Sequence, residues 1–266
     1  MSDTLAGIGL VAAAGASGAA ILLPPGRPRA LLMVAAMVLF PVLIAGDQWH
    51  AAQIVDLRHH QSRIAELLVL AAAAIAVLTY LFRRWPILFP LAVVFTLPFR
   101  IPLHAGGDTA NLLVPLYLVI AGGVGAVLVR DWTPLPVGGA DLGDHHSPNA
   151  SGGGTRSGTG PAGPLAMVLA ATVVLYALQT LYSDDFSKGL QNVCFFFVPF
   201  TIAYRLLREV EWDRQLLRWV LIVVGVEAAA FVLVGGVELA SRSLFWNDQI
   251  IRSNEFHTYF RVNSVF

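Results

Sequence analysis

The chain has 266 residues, of which 56% are apolar and only 13% are charged, and its mean hydropathy is +0.68. Soluble domains carry roughly 25% charged residues, so this composition excludes an ordinary cytosolic enzyme. Seventeen basic residues balance seventeen acidic ones, which excludes recruitment of nucleic acid by overall charge. The composition indicates a protein whose main solvent is lipid.

Eight runs with few or no charged residues follow one another along the chain. A membrane-spanning helix needs about 20 apolar residues, and backbone polar groups in lipid must be satisfied within the segment. The sequence therefore predicts an all-α, polytopic transmembrane helix bundle of about eight spans. The runs cover residues 5–23, 30–45, 64–82, 85–99, 111–129, 165–182, 190–204 and 216–237.

The fourth run, residues 85–99, is among the shortest and contains three prolines. Fifteen residues rise only about 22 Å as a helix, so a re-entrant segment is the alternative to a span. Arg84 and Arg100 bracket the run, and long cationic side chains extend a short helix by reaching the interface at each end. We predict that this run spans the membrane.

Basic residues give the predicted orientation, because Lys and Arg favour the cytoplasmic side. Residues 205–218 hold four arginines and are the strongest cytoplasmic marker. Alternating from there, the N-terminus and the tail, residues 238–266, lie outside the cytoplasm. The other basic residues predicted on the cytoplasmic side are Arg27, Arg29, Arg83, Arg84, Arg130 and Arg156.

One long connection, residues 130–164, divides the predicted spans into residues 1–129 and residues 165–237. It is rich in Gly and Pro and poor in apolar residues, so it cannot bury enough surface to order itself. We predict a disordered cytoplasmic linker. Its DHH triplet lacks further ligands at suitable spacing, so we predict no metal site.

Small residues at intervals of four predict close helix contacts. They occur in the first span at Ala12, Ala16 and Ala20, and in the fifth span at Ala121 and Gly125.

Glu227 lies half-way along the eighth run. An ionisable group at that depth costs a few kcal/mol or more unless it is paired, protonated or facing water. One hypothesis is a proton relay or an ion pair with a substrate or another helix. The other is a protonated glutamic acid that hydrogen-bonds inside the bundle.

The tail combines arginines, among them Arg252 and Arg261, with aromatic side chains. Aromatic residues settle at the headgroup layer, and arginine binds phosphate through paired N–H donors. The tail is therefore either an interfacial anchor or a site for the diphosphate of a lipid carrier.

Three segments resemble the O-antigen ligase and polymerase superfamily of bacterial inner-membrane proteins. They are LPFRIPLHAGGDTANLLVPLYLVIAG, YSDDFSKGLQNVCFFFVPFTIAYRLL and the terminal EFHTYFRVNSVF. Together they span most of the chain from Leu97 onward, and the terminal motif is the most specific of the three. The first three spans match only as generic hydrophobic helices.

The resemblance implies an enzyme that takes a glycan from undecaprenyl diphosphate at the outer leaflet and joins it to lipid A core or another glycan. The family uses no metal or other cofactor. Such catalysis needs positive groups at the leaving diphosphate and a base for the acceptor hydroxyl. Arg261 occupies the family's arginine position, so the resemblance implies catalytic roles for Arg261 and His257, and donor binding by Arg100, Arg252 and Arg261.

The family's motif continues into a Pro-Asn segment, further spans and a large outer loop with further catalytic residues, whereas this sequence ends at Phe266. We therefore expect it to be the N-terminal part of such an enzyme, without ligase activity by itself. Two alternatives remain: a secondary transporter or flippase that uses Glu227, and a non-enzymatic membrane protein.

Overall fold

A computed structural model describes residues 3–47, 49, 61–99, 101–105, 108–132 and 163–241. Nearly all of these residues are helical. In chain order the helices are α1 (Asp3–Leu22), α2 (Arg27–Asp47), α3 (Gln61–Arg84), α4 (Leu88–Thr96), α5 (Val114–Trp132), α6 (Pro164–Thr180), α7 (Phe186–Asn192), α8 (Val198–Leu207) and α9 (Arg214–Ser241).

A π-helical turn at Val193–Phe197 joins α7 to α8, so that Phe186–Leu207 is one continuous helix. A short antiparallel hairpin, β1 (Ile101–Ala105) and β2 (Asp108–Leu112), lies between α4 and α5, with Ile101 opposite Leu112.

Six helices of the described chain are long and apolar enough to cross a membrane: α1, α2, α3, α5, the continuous helix Phe186–Leu207, and α9. Helix α6 is equally apolar but has only 17 residues. The predicted all-α polytopic bundle is therefore confirmed.

Cross-chain contacts show which helix ends lie together. At one end, the amide of Gly26 donates to the carboxylate of Asp131, 3.1 Å away, and Arg29 contacts Glu209 just beyond α8. We call this the arginine end. We call the other end the opposite end. There the Ser187 hydroxyl donates a hydrogen bond to the Asp47 carboxylate over 2.6 Å.

The fourth predicted run, residues 85–99, extends between the two ends of the bundle, but only its middle part is an α-helix. Helix α4 has nine residues, which rise only about 14 Å. It begins at the arginine end, where Pro86 lines the same cavity as Arg130. The run ends with the ring of Phe99 6.4 Å from that of Phe231, about 25 Å along α9 from its start by helical rise.

Within the described residues this run is an α-helix only over α4, so the prediction of a helix throughout is wrong, whereas its crossing of a membrane stays a prediction. The reason lies in the prolines: Pro86 precedes α4 and Pro98 follows it in non-helical turns. Proline lacks the N–H that continues a helix, and its ring disfavours helical geometry in the preceding residue.

The core of the bundle lies between α1, α2, α5 and the continuous helix Phe186–Leu207, whereas α3 and α9 are peripheral. Several aliphatic side chains have no exposed surface at all: Leu10, Met33, Leu116, Ile120 and Ile202. Exposed apolar side chains cover the outer faces of α3 and α9, among them Leu68, Val69, Leu221 and Val232. In water such surfaces would be unstable, and in lipid they are expected.

Small residues provide several close helix contacts. A Cβ on Gly125 would clash with the Thr79 hydroxyl, and Ala16 and Ala20 are buried, as the four-residue spacing predicted. The prediction is wrong for Ala12, which is exposed. Helix α1 is flanked by α2 and α6, and Ala12 lies on its remaining face.

Tryptophans mark both ends of the bundle. Trp85, Trp132, Trp212 and Trp219 are exposed near the arginine end, and Trp49 is exposed just beyond α2 at the opposite end. The guanidinium of Arg27 lies 5.6 Å from the ring centre of Trp132. Amphipathic rings at both ends of apolar helices are typical of the two membrane–water interfaces.

Candidate functional site

Three arginines and two acids form an ion-pair cluster at the arginine end, which is largely buried except for the exposed side chain of Arg130. We call Arg29, Arg130, Asp131, Arg205 and Glu209 the arginine cluster. Arg29 binds both acids, with its Nη2 3.5 Å from Asp131 Oδ2 and its Nη1 against Glu209 Oε1. Arg130 also binds both, at 3.1 Å to Asp131 and 2.9 Å to Glu209. Arg205 Nη1 lies 3.3 Å from Glu209 Oε1.

The members come from the first turn of α2, the last turn of α5 and the end of α8, so the cluster ties three helices together at one depth. Arg29 has no exposed side-chain surface and Arg205 only 4%. The Nε atoms of both are buried without a hydrogen-bond acceptor in the part of the chain described. The formal charges of the five residues in the arginine cluster sum to +1. This positive sum agrees with the prediction that basic residues gather on one side of the membrane.

The cluster contains no cysteine, serine or histidine, and its acids are held by arginines. Its chemistry is that of a structural ion-pair network. The sequence placed these arginines on one side but missed their convergence on Asp131 and Glu209. The available signal was an acid adjoining an arginine at the end of a predicted span, as in Arg130–Asp131.

Glu227 lies on the face of α9 that is turned toward the bundle. The less exposed positions of α9 recur every three or four residues: Leu216, Val220, Val223, Glu227, Phe231, Val234, Gly235 and Glu238. Glu227 is partly exposed, yet its Oε1 is buried and accepts no hydrogen bond from the described residues. The described residues thus supply no cationic partner for Glu227, and both hypotheses for it stay open.

The π-helical turn contains a carbonyl that is satisfied from another helix. Pro199 has no N–H, so it cannot donate to the carbonyl of Phe195 four residues earlier. The hydroxyl of Tyr117 on α5 donates to that carbonyl instead, over 2.9 Å. The amide of Val198 donates to Val193, which is the wider π spacing, and such turns are frequent at functional sites.

A cavity of about 450 Å³ lies beside this turn, near the opposite end. We call it the amide cavity, because two carboxamides line it. Its walls come from α6, α7 and the π-helical turn: Tyr176, Gln179, Thr180, Ser183, Gly189, Asn192, Val193, Phe196 and Phe197.

A second cavity, of about 510 Å³, opens at the arginine end between α4, α5, α8 and the start of α9. Its deep wall is apolar, with Phe82 and Phe89, and its rim carries Arg130, Glu211 and Asp213. Asp213 caps α9 by accepting a hydrogen bond from the amide of Leu216 over 2.7 Å, so this acid already has a structural partner.

The predicted donor-binding and catalytic residues Arg100, Arg252, His257 and Arg261 lie outside the described residues. Arg100 follows Phe99, which contacts the far half of α9. Residues 242–266 follow Ser241, which ends α9 away from the arginine end.

Within the described ranges, no three or more His, Cys, Asp or Glu side chains are grouped so that they can hold a metal ion. Cys194, the one cysteine of the chain, is buried.

The fold and its exposed apolar faces define a class: a multi-pass helical membrane protein. Comparison with protein-family models, with curated proteins and with solved structures found no match.

Proposed function

We propose that this chain is part of a glycan transferase of the O-antigen ligase and polymerase type. It would take a glycan from undecaprenyl diphosphate at the outer leaflet of the bacterial cytoplasmic membrane and pass it to a glycan or lipid acceptor. Arg261 contacts the donor diphosphate, Arg252 and Arg100 add positive charge, and His257 lies close to the reacting groups. The donor, the acceptor and the bilayer are the partners of this proposal.

One observation carries the proposal: two of the three segments that resemble the family, as far as the structure describes them, start at the same end of the bundle. The first includes Phe99, which lies beside Phe231 in the far half of α9. The second begins at Tyr182, directly after α6 and next to Ser187, which bonds Asp47. The third segment lies outside the described residues. A shared starting end is what a common site requires.

A contact between the first two segments also supports the proposal. Tyr117, in the first, donates its hydroxyl to the Phe195 carbonyl in the second. These two segments, which both resemble the family, therefore pack against each other.

The orientation of the proposal follows from the arginine cluster. Positive charge near span ends favours the cytoplasmic side, so the arginine end faces the cytoplasm. The opposite end, with the start of the tail, then faces outward, where the lipid-linked donor presents its glycan. An arginine there stabilises the negative charge that develops on the departing diphosphate.

A secondary transporter or flippase is the second candidate, because Glu227 lies on the bundle-facing side of α9 with a buried oxygen. Glu227→Gln discriminates between the two. It abolishes proton-coupled transport because glutamine carries no titrating proton, whereas a transferase that uses Glu227 only for packing keeps its activity.

Arg261→Ala and Arg261→Lys in the chromosomal gene test the transferase proposal. We expect surface glycan to fall about 100-fold or more in the alanine variant, the scale of losing one charge-stabilising donor. Lysine should restore little, because it lacks the paired N–H groups that match a phosphate. The measurement is surface glycan per unit of membrane-inserted protein, with Arg242→Ala as the control in the same tail. Wild-type glycan in both Arg261 variants would refute the proposal.

A further inference from the structure

The amide cavity opens toward lipid near the opposite end of the bundle. Its flank is formed by Tyr176 and Phe196, whose side chains are 46% and 43% exposed. At about 450 Å³ it falls within the range of roughly 300–1,000 Å³ that small-molecule sites occupy. A concave site on a lipid-facing surface is accessible to an amphiphile from the bilayer itself.

Local backbone features create the cavity. A Cβ on Gly189 would lie 2.6 Å from the Thr180 methyl group, so glycine lets α7 approach α6 closely there. The π-helical turn then sets the position of Phe197, whose ring stacks on Tyr176 at 4.4 Å between centres and 25° between planes. The cavity is the space between the close helix contact at Gly189 and the stacked rings of Tyr176 and Phe197.

The polar side chains that line the cavity are neutral, and one of them, the Thr180 hydroxyl, already donates to the Tyr176 carbonyl. Gln179, Asn192 and Ser183 are exposed, and none makes a side-chain hydrogen bond within the part of the chain described. Among the described residues, no charged side chain lines the cavity. The donors it offers therefore suit uncharged acceptors rather than a phosphate.

The depth of the cavity in the bilayer indicates which part of a lipid it can bind. Gln179 lies in the last turn of α6, and Asn192 ends α7, which begins at Phe186, about 9 Å away by helical rise. The interfacial layer of a bilayer is about 5–8 Å thick on each side, by the difference between total and hydrocarbon thickness. Ester carbonyls lie at the inner boundary of that layer, next to the hydrocarbon.

We propose that the amide cavity binds the glycerol-ester region of a membrane lipid. The carboxamide N–H groups of Gln179 and Asn192 donate to the ester carbonyl oxygens, and the acyl chain runs along Phe196 and Phe200. These two rings are stacked with centres 6.5 Å apart and extend the apolar surface below the cavity. The site is independent of the proposed glycan transfer, because it involves none of the tail residues.

Photo-crosslinking tests this site. The purified full chain is reconstituted in phosphatidylcholine vesicles that contain a phosphatidylcholine with a diazirine close to its ester group. After irradiation, adducts are mapped by mass spectrometry. We expect them to concentrate between Tyr176 and Phe200 rather than to be spread along the exposed faces of α3 and α9.

The decisive variant is Gln179→Leu with Asn192→Leu, which removes both donors at exposed positions and so leaves the core unchanged. Adduct yield should fall about fivefold for each hydrogen bond lost. Gln215→Leu, an exposed glutamine at the start of α9, is the matched control and should leave the yield unchanged.

Three results would overturn the lipid site. Adducts distributed evenly over all lipid-facing helices indicate nothing beyond ordinary solvation by lipid. An unchanged yield in the double variant removes the carboxamides from binding. Disulfide-linked pairs of the chain formed through Asn192→Cys in the same vesicles show that a second copy occupies the cavity instead.

Discussion

Arg29 is a fully buried guanidinium near the end of an apolar helix. Removing a charge from water costs several kcal/mol, and only close opposite charges with good geometry offset that cost. Asp131 and Glu209 provide them. Losing Arg29 leaves two acids with fewer partners as well as a void between α2, α5 and α8.

We therefore expect Arg29→Met to reduce the free energy of unfolding by about 3–5 kcal/mol, the scale of breaking a buried ion pair from one side. The measurement is reversible unfolding of the purified protein in detergent micelles. Arg27→Met is the control, because Arg27 is exposed and its guanidinium lies over the face of Trp132, a contact worth about 0.5–1 kcal/mol.

A second variant separates charge from packing. Adding Glu209→Gln to Arg29→Met removes one of the stranded negative charges, so the double variant should be more stable than additivity predicts. Equal losses for Arg29→Met and Arg27→Met would show that the arginine cluster contributes nothing specific.

At the scale of elements, the continuous helix Phe186–Leu207 is interrupted but not broken. Pro199 removes one backbone donor, the π-helical turn absorbs the irregularity, and Tyr117 satisfies the Phe195 carbonyl from α5. In lipid no water is present to take that role, so the hydroxyl comes from a neighbouring helix. The interruption thereby links α5 to α8.

A double-mutant cycle tests this link. Tyr117→Phe should cost about 1 kcal/mol of unfolding free energy, the typical value of a side-chain hydrogen bond between membrane helices. In a Pro199→Ala background the restored N–H can bond Phe195, so the same substitution should cost clearly less. Equal costs in both backgrounds would show that the hydroxyl does not compensate for the proline. The readout is unfolding in micelles, with near-ultraviolet circular dichroism as the check on packing.

At the scale of the whole molecule, the helix ends alternate between the two ends of the bundle. Glu211 lies beside the arginine cluster, in the cavity that Arg130 also lines. Ser183 lies at the opposite end, directly after α6. We therefore expect the membrane to separate these two positions.

Cysteine labelling checks this arrangement. Ser183→Cys should react with a membrane-impermeant maleimide in intact cells, whereas Glu211→Cys should react only after the membrane is permeabilised. The unsubstituted protein is the control, because its one cysteine, Cys194, is buried. Reaction of both variants under the same condition would contradict the crossing of the chain between them, and the reverse order would invert the proposed orientation.

Apolar runs, prolines and basic residues determined much of this protein by themselves. Length and hydropathy predicted the class and the positions of the six long apolar helices, because lipid requires each crossing segment to satisfy its own backbone. The arginines near the span ends predicted which ends lie together, and Arg29, Arg130 and Arg205 do converge on one carboxylate, Glu209.

Only the tertiary structure decided which residues meet across the bundle. The pairing of Arg29 with Glu209, of Tyr117 with the Phe195 carbonyl, and of Gly189 with Thr180 joins residues from separate helices. Local patterns such as period and spacing fix the face of one helix, but the rotation and depth of its neighbour depend on the packing of the whole set. For that reason the sequence located Glu227 and the spans, whereas the arginine cluster and the amide cavity emerged only when the helices were assembled.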